Sequence, residues 1–123
     1  MPSFPTDHDP AAPLGAHLFE ILLALASGPA HGYGIISDIR SRTEDRVVLS
    51  TSTLYRGIER LLAQGLIAEA GEQPGEHSGG PPRRYYEITD RGRDSAQVEA
   101  QRLRDAIRVA DERMFTTPPR SGR

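Results

Sequence analysis

The sequence predicts a mainly α-helical fold with one small β-hairpin, and three observations carry that expectation. Apolar residues recur at helical spacing in four separate stretches. One late stretch, rich in tyrosine and isoleucine, alternates as a strand does. Glycine, proline and hydroxyl residues stand at the ends of these stretches, where they stop or cap elements.

Residues 1–13 contain Pro2, Pro5, Pro10 and Pro13 with few apolar side chains, and read as a flexible arm. From Leu14 to Ser27 a helix is expected, with Leu18, Ile21, Leu22 and Leu25 in register and Phe19 and Leu23 widening the stripe. A helix apolar on nearly every side is buried on nearly every side. In so small a domain a second chain is expected to cover part of it. Gly28-Pro29 stops it. His31 to about Arg42 reads as a shorter helix with Tyr33, Ile35, Ile36 and Ile39 as its apolar positions and a first turn weakened by Gly32 and Gly34. Residues 43–50 form a turn.

Thr51 to Gln64 is the clearest helix. Ser50, Thr51, Ser52 and Thr53 crowd its start, Leu54, Ile58, Leu61 and Leu62 form the buried stripe, and Gly65 ends it. Tyr55, Arg56 and Glu59 fall off that stripe and face outward. Leu66 to Glu72 and Arg84 to Thr89 are strands, and alternation puts one of Tyr85 and Tyr86 in the core and the other outside. Gly71, Pro74, Gly75, Gly79, Gly80, Pro81 and Pro82 make the connection a long, irregular loop. Thr89 then caps a last helix to about Met114, in which Ala96, Ala100, Leu103, Ile107, Ala110 and Met114 are spaced 4, 3, 4, 3, 4, as in a heptad seam. Residues 116–123 read as a disordered tail.

The order helix, helix, turn, helix, hairpin, helix is that of a winged helix-turn-helix. The expected divisions are an arm (1–13), a winged helix-turn-helix (14–89), a C-terminal dimerisation helix (90–115) and the tail. In such a fold the third helix enters the major groove of double-stranded DNA by its N-terminal residues. Ser50, Thr51, Ser52, Thr53 and Tyr55 can donate to phosphates or base edges, and Arg56 can reach a guanine or a phosphate. Arg83 and Arg84 at the base of the wing can neutralise phosphates. Each feature also has a plainer reading: hydroxyls before a helix serve as caps, and paired arginines stand as solvated charges.

Composition narrows the function classes. Cysteine is absent, so disulfide and thiol chemistry are excluded. His8, His17 and His77 show no metal-ligand spacing, and His31 reads as structural. No paired acid and base, nucleophile or phosphate loop is recognisable, so neither an enzyme nor a cofactor is expected. No apolar run approaches the roughly 20 residues that span a bilayer, and the first residues lack a signal peptide, so the expected address is the cytoplasm. The formal net charge is −2, which sets a limit on DNA binding. A footprint has to be local, and residues 83–93, with four arginines against Glu87 and Asp90, are the first candidate. The acidic balance leaves a rival reading open, a winged-helix protein-interaction adaptor that does not bind DNA.

Several segments resemble the PadR-type (phenolic acid regulator) transcriptional regulators. They are His31-Gly32-Tyr33, Ser52-Thr53-Leu54-Tyr55, the run "ERLLAQGLI" from Glu59 to Ile67, and above all "GGPPRRYYEITDRGR" from Gly79 to Arg93. The resemblance spans about residues 14–114 and points to the compact subfamily with a single C-terminal helix. It departs at Gly34, at Arg56 and in the longer wing loop. It implies a homodimeric repressor on a pseudo-palindromic operator. The heptad seam could pack within one chain, but its length and polar remainder favour a dimer interface at Leu103, Ile107, Ala110 and Met114, with Leu18 and Leu22 of the first helix as its second half. The resemblance also implies a small aromatic or amphipathic effector, for which Phe19, Phe115 and the Leu, Ile and Met positions are the available lining.

Overall fold

A computed structural model describes residues 13–73 and 83–115. The expected arm (apart from Pro13), most of the wing loop and the tail lie outside the described residues. The elements are α1 (Ala16–Leu25), β1 (Ala30–His31), α2 (Gly32–Arg42), α3 (Thr51–Ala63), β2 (Ile67–Gln73), β3 (Arg83–Ile88) and α4 (Asp90–Ala110), which runs on into a π-helical turn, Asp111–Phe115. The mainly helical winged helix-turn-helix architecture is the one the sequence predicts. No helix among the described residues is long and apolar enough to cross a membrane.

The core is the meeting of three apolar stripes. Ile21, Leu22 and Leu25 of α1, Ile35 and Ile39 of α2, and Leu54, Ile58 and Leu61 of α3 are buried together, closed by Leu49, Leu66, Ile67 and Tyr86. Each such side chain contributes about 1.5–3 kcal/mol when fully buried. Leu22 was expected at a dimer interface, but it is 0% exposed within its own chain and has no surface left to offer another. Tyr33 was expected to face inward and instead stands exposed on the first turn of α2, while Ile35 and Ile39 carry that helix's burial.

The caps follow the sequence. The Ser50 hydroxyl accepts the Thr53 N–H at the start of α3. Gly65, at φ +74°, adopts the left-handed conformation that ends this helix. The Thr89 hydroxyl accepts the Gly92 N–H (3.0 Å) and donates to the Gly65 carbonyl (2.7 Å), so one side chain starts α4 and ties it to the end of α3. Between α2 and α3, Glu44 and Asp45 both have positive φ. The Asp45 N–H donates back to the Arg40 carbonyl at 2.8 Å, and the Arg40 guanidinium meets the Asp45 carboxylate at 3.1 Å.

The sheet has three strands where a hairpin was expected. β1, β3 and β2 pair antiparallel in that order, with Ala30 opposite Tyr86 and His31 opposite Tyr85. Two residues are too few for an alternation signal, which is why β1 is invisible in the sequence. The residue expected to open α2, His31, therefore ends β1 and caps α2. β2 carries a bulge between Glu69 and Gly71, so that Glu69 opposes Tyr86 and Glu72 opposes Arg84. The extra residue shifts the parity and sets both carboxylates on the Arg84 face of the sheet.

Candidate nucleic-acid interface

The N-terminal end of α3 separates into residues that cap the helix and residues that do not. Ser50 and Thr53 are committed to the cap: besides accepting the Thr53 N–H, the Ser50 hydroxyl donates to Thr53 Oγ1 at 3.0 Å. Thr51 and Ser52 are exposed, Tyr55 is 44% exposed, and Arg56 projects outward one residue later. The opposite side of the helix is closed by Leu54, Gly57, Ile58 and Leu61. The same 3.6-residue period that buries Leu54 and Ile58 thus presents Thr51, Ser52, Tyr55 and Arg56 together.

The two wing arginines are in different states. Arg84 lies 3.9 Å from Glu69 and 3.8 Å from Glu72, a direct result of the bulge in β2. Arg83 has no carboxylate within ion-pair distance among the described residues, and its Nη1 lies 2.9 Å from Nε2 of His31. Arg56 and Arg60 likewise form no ion pair among the described residues. Elsewhere Arg40 pairs with Asp45, and Arg42 with both Glu20 and Asp38. The uncompensated positive charge of the described residues near α3 and the wing is therefore Arg56, Arg60 and Arg83, much of what makes a local footprint in an acidic chain.

Two clefts flank α3. One, of about 540 Å³, lies between its Thr53, Arg56, Gly57 and Arg60 and the start of α1. The other, of about 450 Å³, lies between α3, α2 and the wing, and is lined by His31, Tyr33, Tyr55, Arg83, Arg84 and Tyr86. Tyr55 reaches this second cleft because Gly32 allows it: a Cβ at Gly32 would collide with the Tyr55 hydroxyl. Burial pushes the Tyr86 phenol above the usual tyrosine range.

The transcriptional regulator PadR-like family model matches residues 21–98, more than half of the chain, from within α1 through α3 and the wing strands into the first part of α4. The chain belongs to this family. Its fold is shared by a transcriptional regulator from Clostridium thermocellum, 27% identical, with a TM-score of 0.69 over 84% of this chain and 92% of that one. A PadR family regulator from Clostridium difficile is 26% identical, with a TM-score of 0.66 over 80% of this chain and 97% of that one. Bacillus subtilis PadR in complex with operator DNA is similar in fold, at 22% identity and a TM-score of 0.56 over 77% of this chain and 48% of that one. No curated protein matches the chain significantly. PadR-like proteins are transcriptional regulators rather than enzymes, and no group of metal-ligating side chains occurs among the described residues.

The surface of α4 in this PadR-like chain is divided. Ala96, Ala100 and Leu103 are half-buried against their own chain, and Ala110 is half-buried further on. Ile107 and Met114 are 60% and 70% exposed. Leu18 is half-buried on α1 and packs against the core, as does Phe19; the Phe115 side chain lies outside the described residues. Val98 on α4 and Leu23 on α1 are further exposed apolar residues. Leu23 lies on the wide stripe of α1, and Val98 lies off the heptad positions.

Nothing in the residue order marks Glu99. Its carboxylate is 4% exposed, accepts the buried Leu14 N–H at 3.1 Å and is bridged by the Arg102 guanidinium. The Arg102 hydrogen bond holds its carboxyl below the usual glutamate range, against the opposing effect of burial.

Proposed function

We propose that this PadR-like chain is a homodimeric DNA-binding repressor that reads a pseudo-palindromic operator and responds to a small aromatic or amphipathic effector. The observation that carries the DNA reading is the convergence of the exposed Thr51, Ser52, Tyr55 and Arg56 of α3 with Arg83 of the wing, an arginine with no carboxylate partner among the described residues. The operator complex of Bacillus subtilis PadR, a protein of the same fold, supports it. In this reading Thr51, Ser52, Tyr55 and Arg56 contact base edges and phosphates in the major groove. Ser50 and Thr53 keep the helix start in shape, and Arg83, with Arg84 as the weaker partner, contacts the backbone. Two copies joined through Leu103, Ile107 and Ala110 of α4 and Met114 of the turn that follows it, with Leu18 of α1, set two recognition helices about 34 Å apart. An effector at that interface changes the angle between the wings and so the affinity for DNA.

The test is a titration of the full chain with duplex DNA from its own promoter at several salt concentrations. Binding with a steep salt dependence and a preference over a scrambled duplex is expected. Equal, salt-insensitive affinity for both duplexes, or no binding, assigns the chain instead to the protein-interaction adaptors.

A further inference from the structure

The outward side of α3 has two flanks, and the wing supplies only one of them. Tyr55 stands on the flank that lines the cleft shared with Arg83 of the wing. Arg56 and Arg60 line the other cleft, of about 540 Å³, between α3 and residues 15–18 at the start of α1. At 3.6 residues per turn, Arg60 lies roughly 140° round the helix from Tyr55. Thr53, Arg56 and Arg60, at i, i+3 and i+7, share one side.

The fold builds this second flank. A Cβ at Gly57 would come within 2.8 Å of Ile21 and 3.4 Å of Leu18. Glycine at this point lets α1 settle onto α3, and it leaves that part of the cleft wall without a side chain. Arg56 and Arg60, both exposed, stand on either side of it along the helix. Neither guanidinium has a carboxylate partner among the described residues. No acidic side chain among them lines the cleft or stands in the first turn of α1. The Thr53 hydroxyl accepts from Ser50 at 3.0 Å, which leaves its own proton to donate. Like charges four residues apart on a helix repel, and an anion between them removes that repulsion. Two cations and a hydroxyl donor around a cleft without a carboxylate are a donor set for an oxyanion.

The dimensions of the duplex say which oxyanion. The major groove is about 12 Å wide, and an α-helix with its side chains is about 10–12 Å across. A helix seated in the groove therefore has a phosphate backbone along each flank. The geometry points to a seat for a DNA backbone phosphate in the cleft between α3 and the start of α1, with the Arg56 and Arg60 guanidinium groups and the Thr53 hydroxyl as its donors, on the strand across the groove from the one the wing meets. The inference rests on the DNA-binding reading and adds to it Arg60 and the α1–α3 cleft. It also assigns Arg56 to the backbone rather than to a base edge.

The test measures binding of the full chain to its promoter duplex and to a scrambled duplex at several salt concentrations. Arg60→Ala is expected to keep the wild-type melting temperature, because Arg60 is exposed. It is expected to weaken binding to both duplexes by the same factor and to lower the salt slope by about 0.9 for each copy bound. Arg60→Lys keeps the charge and is expected to restore the slope. Promoter duplexes with a neutral methylphosphonate at one backbone position at a time then locate the contact. Neutralising the seated phosphate is expected to weaken binding by the wild-type chain and to have no further effect on Arg60→Ala. The positions masked in this way are expected on the strand across the groove from any that Arg83→Ala masks.

Salt-dependent wild-type binding with an unchanged slope in Arg60→Ala overturns the seat and leaves the DNA reading standing. So does a set of masked positions that is empty or is shared with Arg83→Ala. If no duplex binds the wild-type chain, the DNA reading falls and the backbone falls with it as the source of the phosphate. Inorganic phosphate, followed at the Arg60 Nε–H signal of the ¹⁵N-labelled chain, then decides the cleft itself. A moved signal keeps the seat for a free phosphate group, and an unmoved one overturns it.

Discussion

The three helices before the wing and the helix after it divide their residues differently between inside and outside. In α1 to α3 every fully enclosed large side chain is aliphatic: Ile21, Leu22, Leu25, Ile35, Ile39, Leu54, Ile58 and Leu61. In α4 the buried residues are Gly92, Ser95 and Glu99, while Val98 and Ile107, and Met114 in the π-helical turn that follows, are exposed. The first pattern is that of a domain which satisfies its own hydrophobic demand. The second belongs to a helix held to its own chain by small and polar side chains, Ala96 and Glu99 among them, with Val98 and Ile107 turned elsewhere. The difference teaches that the two parts of the molecule depend on different things. α1 to α3 depend on this chain's own packing, and the outer half of α4, under the proposed function, depends on a second copy.

Substitutions can break or sharpen this comparison. The largest effect is expected from Leu54→Ala, which leaves a cavity among α1, α2 and α3. A loss of about 2–5 kcal/mol is expected in urea unfolding, and a loss under 1 kcal/mol would show that the core collapses to fill the space. Ile107→Asp is expected to leave the fold of a single chain within about 0.5 kcal/mol, because Ile107 is exposed. It should convert a dimeric sedimentation profile to a monomeric one by setting an unpaired charge in the seam. A dimer that survives this change removes Ile107 from the interface.

Glu99→Ala leaves the buried Leu14 N–H without its acceptor, and about 1–3 kcal/mol should be lost. The same carboxylate predicts a pH effect. Its folded pKa is depressed by Arg102. The stability it contributes is therefore intact above the unfolded-state value of about 4.3, and it is lost as pH falls from there through the folded value. Glu99→Gln should flatten this acid limb in melts taken across that range, and an unaltered limb would show that other carboxylates govern it. The smallest change is expected from Ser95→Ala. The Ser95 hydroxyl is buried with no hydrogen-bond partner among the described residues. Its removal should raise stability by up to about 1 kcal/mol, and a lower melting temperature would reveal a partner that the hydroxyl serves.

The interface was legible where function and local structure share a signal. The hydroxyl run at Ser50–Thr53 marked the start of α3, and it also named residues that the fold exposes there. The structure then divided that run, because a hydroxyl that accepts the Thr53 N–H is engaged in capping while Thr51 and Ser52 are not. Arg83 and Arg84 are adjacent and chemically identical, and nothing in their order separates them. Only the bulge in β2, which brings Glu69 and Glu72 to Arg84, makes them different. Glu99 was hidden for a related reason: on a charged helix surface a buried carboxylate looks like a solvated one, and its partner Leu14 lies 85 residues away.

The sequence by itself determined the helices, their caps at Ser50 and Thr89, the stop at Gly65, the wing strands and the membership of a regulator family. These are local properties: apolar period, hydroxyl capping and glycine conformation act over a few residues and can be read in order along the chain. Only the tertiary structure decided that Leu22 belongs to the core, that Tyr33 faces solvent, that Ala30–His31 completes the sheet and that His31 meets Arg83. Each of these depends on which distant segment arrives beside the residue. The physical reason is that burial and pairing are properties of the packed chain, whereas helix periods and caps are fixed by neighbours already bonded in sequence.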